Sequence, residues 1–279
     1  MKLGLLGLGK MGSAMALRLL DAGHTLTVCN RTASAAQAFI GRARIANHPS
    51  EALEGEVVIT TLADDAAVDA VWGKLELPAA CVHLNMASVS TGLAQRFARL
   101  QHNYVAAPVF GRPAAAAKGE LDIVIAGPPD AVERCRPLFA VLGKQAFVLG
   151  AQAAHANAVK IARNFLLATV IEGLGEAMAL VRASGVSPEK FVDILSNTSL
   201  GAPAYRSYGK LMVERAYEPA QFSMQLGLKD LELALATARE AGVALPSAHL
   251  IRENLLKAIR AGHGHKDWAA LADYLKESG

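Results

Sequence analysis

Cysteine is scarce in this chain: Cys29, Cys81 and Cys135 are the three, far apart and odd in number. They form no CxxC pair, which excludes a disulfide framework or a cysteine-rich metal cluster as the organising feature. Cys29 and Cys81 stand within or beside apolar runs and read as small buried residues. Charge excess is scarce too. The 28 Lys and Arg against 25 Asp and Glu leave a formal net charge of +3, with no long basic run. Nothing in that balance calls for nucleic acid or an acidic membrane surface, and a basic pocket for a small anion suits it equally well. Uninterrupted apolar stretches are short. Residues 165–171 are apolar, but Arg163 and Glu172 bound them closely, and such a run does not span a bilayer. A basic leader with a cleavage site is missing from the opening residues, so a cytoplasmic location is expected. There is no repeat at solenoid spacing and no low-complexity linker.

What the chain does have is apolar residues, 52% of 279, enough for a substantial core in one or two domains. The first half alternates short apolar runs with helical stretches. Strands are expected over Leu3–Leu8, Leu26–Asn30, Ala43–Ile45, Val57–Leu62, Cys81–Met86, Tyr104–Val109, Leu121–Ala126 and Ala146–Leu149. Helices are expected over Met11–Ala22, Ala33–Ile40, Asp65–Trp72, Val89–Gln101 and Ala131–Leu142. This alternation predicts an open, mostly parallel sheet covered on both faces. After Gly150 the pattern changes. A long Ala- and Leu-rich helix is expected over Ala153–Ala183. Ser187-Pro188 then supplies a helix cap and first-turn proline. Further helices follow at Ala204–Val213, Met224–Ala241, Ser247–Ala261 and Trp268–Glu277. The expected organisation is an α/β, Rossmann-type dinucleotide-binding domain over 1–152 and an all-helical domain over 153–279.

The loop Gly7-Leu8-Gly9-Lys10-Met11-Gly12 follows the first strand and opens the first helix. In that setting Gly7 permits the tight turn, Gly9 lets a pyrophosphate approach the backbone, and Gly12 allows close helix–sheet packing. The helix N-terminus then offers N–H groups to the phosphates. A second strand arrives at the distance a dinucleotide unit requires.

The end of that second strand selects among dinucleotides. NAD-selective sites place an acid there to hold the ribose hydroxyls. This chain has Asn30-Arg31-Thr32 instead. Arg31 can pair with a 2′-phosphate and Thr32 can add a hydroxyl, which predicts NADP(H).

With these residues in place the chain resembles the β-hydroxyacid dehydrogenase family. That group includes 3-hydroxyisobutyrate dehydrogenases and glyoxylate and succinic semialdehyde reductases, and is related to 6-phosphogluconate dehydrogenases and imine reductases. The likeness covers nearly the whole chain. The glycine loop with Met15, Ala16 and Gly23-His24 resembles the family's cofactor signature. Leu62 stands where the family's loop passes the cofactor. Asn85-Met86-Ala87-Ser88 matches a segment that usually carries a Ser-Thr pair near the nicotinamide; here Ala87 replaces one hydroxyl and Ser88 keeps the other. Ala107-Pro108-Val109-Phe110-Gly111-Arg112 matches the substrate loop, with Phe110, Gly111 and Arg112 in place of the usual Ser-Gly-Gly. Lys229-Asp230 matches a motif of the helical domain that closes the cofactor site.

The resemblance further implies Lys160 as catalytic lysine and Asn164 as its substrate-orienting partner, within Asn157-Ala158-Val159-Lys160 and onward. Positions four apart share a helix face, so an ammonium and an amide reach one substrate from adjacent turns. The implied activity is hydride transfer between a small carbonyl and its hydroxy acid. Lys160 gives or takes the proton, and burial or nearby cations tune such a lysine. Phe110 either forms an apolar wall or leaves Gly111 N–H and Arg112 to take a substrate carboxylate. An imine reductase and a non-catalytic NADP-binding scaffold are the alternatives, and Lys160 argues against both. His263-Gly264-His265 has no evident third ligand and reads as a polar turn, so no metal is expected. The Ala-rich helix suits a subunit interface, and a homodimer or homotetramer is implied.

Overall fold

In the computed structural model, which describes residues 1–277, the first apolar run becomes β1 (Lys2–Leu6), and the glycine loop leads into α1 (Lys10–Asp21). β2 (Thr25–Cys29) and β3 (Arg44–Ile45) follow, then β4 (Val57–Thr60), α2 (Asp65–Trp72), β5 (Val82–Asn85), α3 (Thr91–Leu100) and β6 (Tyr104–Ala106). These six strands are all parallel, in the order β3-β2-β1-β4-β5-β6. β1 lies between β2 and β4, with Leu5 beside Val28 on one side and Ile59 on the other. Chain order reverses at that point. The carboxyl ends of β1 and β4 therefore open the crevice where such sheets bind dinucleotides.

The rest of the first unit departs from a single sheet. β7 (Val109–Phe110), α4 (Pro113–Lys118), β8 (Leu121–Ile125), α5 (Pro129–Leu142) and β9 (Gly143–Val148) form a three-stranded sheet, β7-β8-β9, with β7 antiparallel to β8. One strand was expected over Tyr104–Val109. The chain instead breaks at Ala107-Pro108, where proline has no N–H to give a ladder. The break transfers Val109 and Phe110 to the second sheet. The sequence signals also missed α4, a six-residue helix opened by Pro113 and closed by Gly119 in the left-handed region at φ 73°.

The chain divides into two compact units at Lys160/Ile161, inside α6 (Ala154–Ala183). The second unit adds α7 (Pro188–Ser196), α8 (Pro203–Glu214), α9 (Met224–Glu240), α10 (Pro246–Ala258) and α11 (Leu271–Glu277). Proline opens α7, α8 and α10. Ser187 caps α7, its hydroxyl accepting from Lys190 N–H, and Ser223 caps α9. By length and composition α6 passes as a membrane-crossing helix, because it extends far beyond residues 165–171. It behaves as a core helix of a folded unit: Ala168, Ile171, Leu174 and Met178 pack with Leu231, Leu235, Ile251, Leu255 and Trp268. Trp268 Nε1–H donates to Tyr208 OH at 3.0 Å, which anchors the turn before α11.

Candidate active site

The glycine loop is shaped by its neighbours. Gly7 has φ 104°, and a Cβ there would lie 2.7 Å from the Thr61 carbonyl oxygen. At Gly12 a Cβ would lie 2.1 Å from the Gly7 carbonyl oxygen. Thr61 Oγ1 donates to that same carbonyl at 2.7 Å. Gly9 differs: nothing lies within 4 Å of an added Cβ. A side chain there would fill the exposed space before the helix N-terminus, where the first-turn amides of Lys10, Met11 and Gly12 lack intrahelical acceptors. This arrangement fits a pyrophosphate. Leu8 is buried, and Leu62 leans over the turn, its Cδ2 3.0 Å from the Gly7 Cβ position.

Asn30 fastens the second strand to this loop. Its Oδ1 accepts from Leu8 N–H at 2.9 Å, and its Nδ2 donates to the Thr32 carbonyl at 3.0 Å. The amide thereby sets the turn that carries the exposed Arg31 and Thr32 beside the glycine loop.

The loop after β5 is held from two sides. Asn85 Oδ1 accepts from Ala87 N–H at 3.0 Å, and Asn85 Nδ2 donates to Tyr104 OH at 3.0 Å. Asn157, on the first turn of α6, donates through Nδ2 to the Val89 carbonyl at 3.1 Å. The half-buried Ser88 lies between these anchors. Asn157 Oδ1 is buried without a hydrogen-bond partner.

Lys160 follows Asn157 on the helix and joins α6 to the turn at Val109-Phe110. Its Nζ donates to the Val109 carbonyl at 2.9 Å and stands 5.0 Å from the Phe110 ring centroid. An ammonium over an aromatic face is favourable because the face carries the negative part of the ring quadrupole. Gly111 turns at φ 140°, and a Cβ there would meet Leu121 Cδ2 at 2.7 Å. Arg112 is the residue before α4. In the second unit, Asn164 Nδ2 donates to Asp230 Oδ2 at 2.7 Å, both side chains being buried. Lys229 Nζ lies 3.8 Å from Asp230 Oδ1.

Residues 2–150 match the family model described as the NAD-binding domain of 6-phosphogluconate dehydrogenase. Residues 154–275 match the one described as NAD-binding of NADP-dependent 3-hydroxyisobutyrate dehydrogenase. The chain belongs to the β-hydroxyacid dehydrogenase family. It is an NADP(H)-linked oxidoreductase. An uncharacterized oxidoreductase of Bacillus subtilis, YfjR, is 39% identical over 99% of this chain and 100% of its own. Glyoxylate/succinic semialdehyde reductase 1 of Arabidopsis thaliana is 32% identical over 100% of this chain and 99% of its own. In fold, the chain is similar to the 3-hydroxyisobutyrate dehydrogenase of Mycobacterium tuberculosis, with a TM-score of 0.89, 24% identity and 99% of both chains covered.

In this oxidoreductase, the first unit brings together Gly7, Gly9, Gly12, Asn30 and Leu62 at one place, and Lys160, Val109 and Phe110 at another. Asn85 and Asn157 were quoted within family segments without a role, and Thr61 and Tyr104 were missed; these four fasten the glycine loop and the loop after β5. Polar side chains at the ends of apolar strands were the available signal. Sequence reasoning also missed a fully buried network across β4, β5 and the end of α3. Trp72 Nε1–H donates to Thr60 Oγ1 at 3.0 Å, Thr60 Oγ1 lies 2.9 Å from His83 Nε2, and His83 Nδ1 lies 2.7 Å from Gln101 Oε1. Since the Gln101 oxygen can only accept, the imidazole carries its proton on Nδ1 and accepts the Thr60 hydroxyl at Nε2. Burial pushes the His83 pKa down to about 3. All three cysteines are free and buried, and burial raises their thiols, Cys81 to about 11 and Cys135 to about 12. Asp64 caps α2 through Ala67 N–H, and Asp65 accepts from Ser90 N–H.

Proposed function

We propose that this chain interconverts a small carbonyl compound, an aldehyde or keto acid, with its hydroxy acid. The observation that carries the reading is Lys160, half-buried, with its ammonium fixed beside the turn Val109-Phe110-Gly111. When bound, the dinucleotide supplies or accepts the hydride. Lys160 hydrogen-bonds the substrate oxygen, gives it a proton as the carbonyl is reduced, and takes that proton back in the reverse direction. Asn164, held by Asp230, orients the same oxygen from the next turn of α6. Ser88, Gly111 N–H and Arg112 receive the remaining polar groups of the substrate, a carboxylate among them. Gly9 and the amides of Lys10, Met11 and Gly12 take the pyrophosphate, with Gly7, Leu8 and Leu62 shaping the approach. Arg31 and Thr32, placed by Asn30, take the 2′-phosphate, and Lys229 and Asp230 are the helical unit's own candidates for cofactor binding. On this reading residues 1–152 bind the cofactor, and residues 153–279 serve the substrate and subunit association, in a cytoplasmic homodimer or homotetramer.

The test is Lys160→Ala, assayed with NADPH against glyoxylate, succinic semialdehyde and a cyclic imine. Turnover of the aldehydes should fall by about 10²–10⁴-fold, with NADPH affinity nearly unchanged. Near-normal turnover would refute the role of Lys160. A wild-type enzyme that reduces the imine faster than either aldehyde would be an imine reductase instead.

A further inference from the structure

We infer that Asn157 is a positioning residue of the reaction: it fixes the helix that bears Lys160 against the loop that bears Ser88. The inference rests on the roles given to Lys160 and Ser88 above.

Two loops leave neighbouring strands side by side. β5 and β6 are paired to their ends, Asn85 beside Ala106, and Ala107 N–H donates to the Asn85 carbonyl at 2.7 Å. One loop continues to Ser88 and Val89, the other to Val109 and Phe110. The start of α6 reaches both. Asn157 Nδ2 donates to the Val89 carbonyl at 3.1 Å, and Lys160 Nζ donates to the Val109 carbonyl at 2.9 Å. Residues three apart on a helix are neighbours on its surface, so the two side chains leave α6 together.

The two contacts differ in what they hold. Lys160 ends a flexible four-carbon stem, and its ammonium is the group that must meet a substrate oxygen. The bond to Val109 fixes the tip of that stem and leaves the helix beneath it to be placed by something else. Asn157 has a short side chain, 1% exposed, bound to backbone. The loop it grips is fastened in its own right. Ala87 N–H donates to Asn85 Oδ1, Asn85 Nδ2 donates to the buried Tyr104 OH, and Ser90 N–H donates to Asp65. Ser88 thus sits between fixed points, and Asn157 is the link by which α6 takes its place from them. Groups that meet in one transition state lose about 100-fold in rate for a misplacement of about 1 Å.

The test compares Asn157→Ala with wild type in reduction of glyoxylate and succinic semialdehyde by NADPH. The kcat should fall about 10–100-fold, with the Kd of NADPH changed by less than about twofold. A cycle with Lys160→Ala separates positioning from general damage. In that background Asn157→Ala should cost less than about twofold, because the group it places is gone. Equal losses in the two backgrounds, or near-normal kcat in Asn157→Ala, overturn the proposal. A second readout needs no turnover. Labelling of Lys160 by acetic anhydride is followed by mass spectrometry, with the exposed Lys118 and Lys210 as references. It should quicken about fivefold in Asn157→Ala, the factor set by losing one ordinary hydrogen bond. Unchanged labelling also overturns the proposal. If Asn157→Ala fails to fold, Asn157→Asp, which keeps the volume and offers Val89 no donor, takes its place in both measurements. Near-normal turnover by Lys160→Ala would sink the catalytic reading of Lys160. An inactive Lys160→Ala beside an unimpaired Asn157→Ala sinks only the positioning role. Quickened labelling in a protein that reduces neither aldehyde would leave the placement standing and sink the reading of function.

Discussion

His83 makes the stability of the first unit sensitive to acid in a way that can be worked from the structure. The imidazole is fully buried, stacked on Trp72 with ring centroids 3.8 Å apart, and both ring nitrogens have partners suited to the neutral form. Its pKa is lowered to about 3 by burial, opposed only by the Gln101 hydrogen bond. The unfolded chain titrates at the ordinary value near 6.5. Below that value the unfolded state binds a proton that the folded state refuses. Stability therefore falls with falling pH, until the folded form itself titrates near 3. From about pH 7.5 to about pH 5 this single group removes RT ln(1 + 10^1.5), or about 2 kcal/mol. The assay is urea unfolding followed by Trp72 emission, with Trp268 replaced by Phe so that the signal comes from the first unit. The comparison is wild-type His83 against His83→Gln at the two pH values. The variant has lower stability at about pH 7.5, because buried bonds worth about 1 kcal/mol each are disturbed, but it should lose about 2 kcal/mol less than wild type on acidification. Equal losses in the two proteins would refute the argument. So would a ring nitrogen spectrum showing His83 protonated at about pH 5.

Other outcomes follow from single contacts. Arg31→Ala should weaken NADPH by about 10–100-fold and leave NADH nearly unchanged, since only a charge-assisted contact to the 2′-phosphate is removed. Asn30→Ala should weaken both dinucleotides alike, because it releases Leu8 N–H and the turn together; titrating both cofactors against both variants separates the roles. Glu172 is buried with Oε1 on Asn254 Nδ2 at 2.5 Å and Oε2 without a hydrogen-bond partner, and burial raises its pKa. A carboxyl raised in the folded state favours folding below its unfolded value, and that contribution is lost as pH rises through the folded one. Glu172→Gln should therefore raise the thermal midpoint at pH 8 and do little at pH 4; the opposite order would show that the carboxylate is stabilised as an anion.

The helices of the second unit and the parallel strands were legible because their signals are local. Periodicity, a capping serine and a first-turn proline each act within a few residues, as at Ser187-Pro188. The glycine loop was legible for the same reason, since Gly7, Gly9 and Gly12 answer a local backbone demand. The second sheet was not legible, because Val109 and Phe110 have ordinary strand character and only Pro108 decides which partner they take. The fastenings of the site were hidden for a different reason. Asn157 meets Val89 and Asn164 meets Asp230 across sequence gaps that no periodicity connects. Phe110 could be read as a departure from a family pattern. That its ring lies beside Lys160 was visible only once the turn at Gly111 had been placed.

Asn30 gives the cofactor end a division of labour. The amide that ties strand to loop belongs to one residue, and the exposed side chain that the proposed function assigns to the 2′-phosphate belongs to the next. Arg31 can be exchanged for an acid without disturbing the backbone on which either dinucleotide would rest. On the proposed function, preference between the two cofactors is a replaceable part mounted on a fixed bracket. Drift in one lineage or design in the laboratory could reverse it at position 31 while the glycine loop and everything behind it stayed as they are.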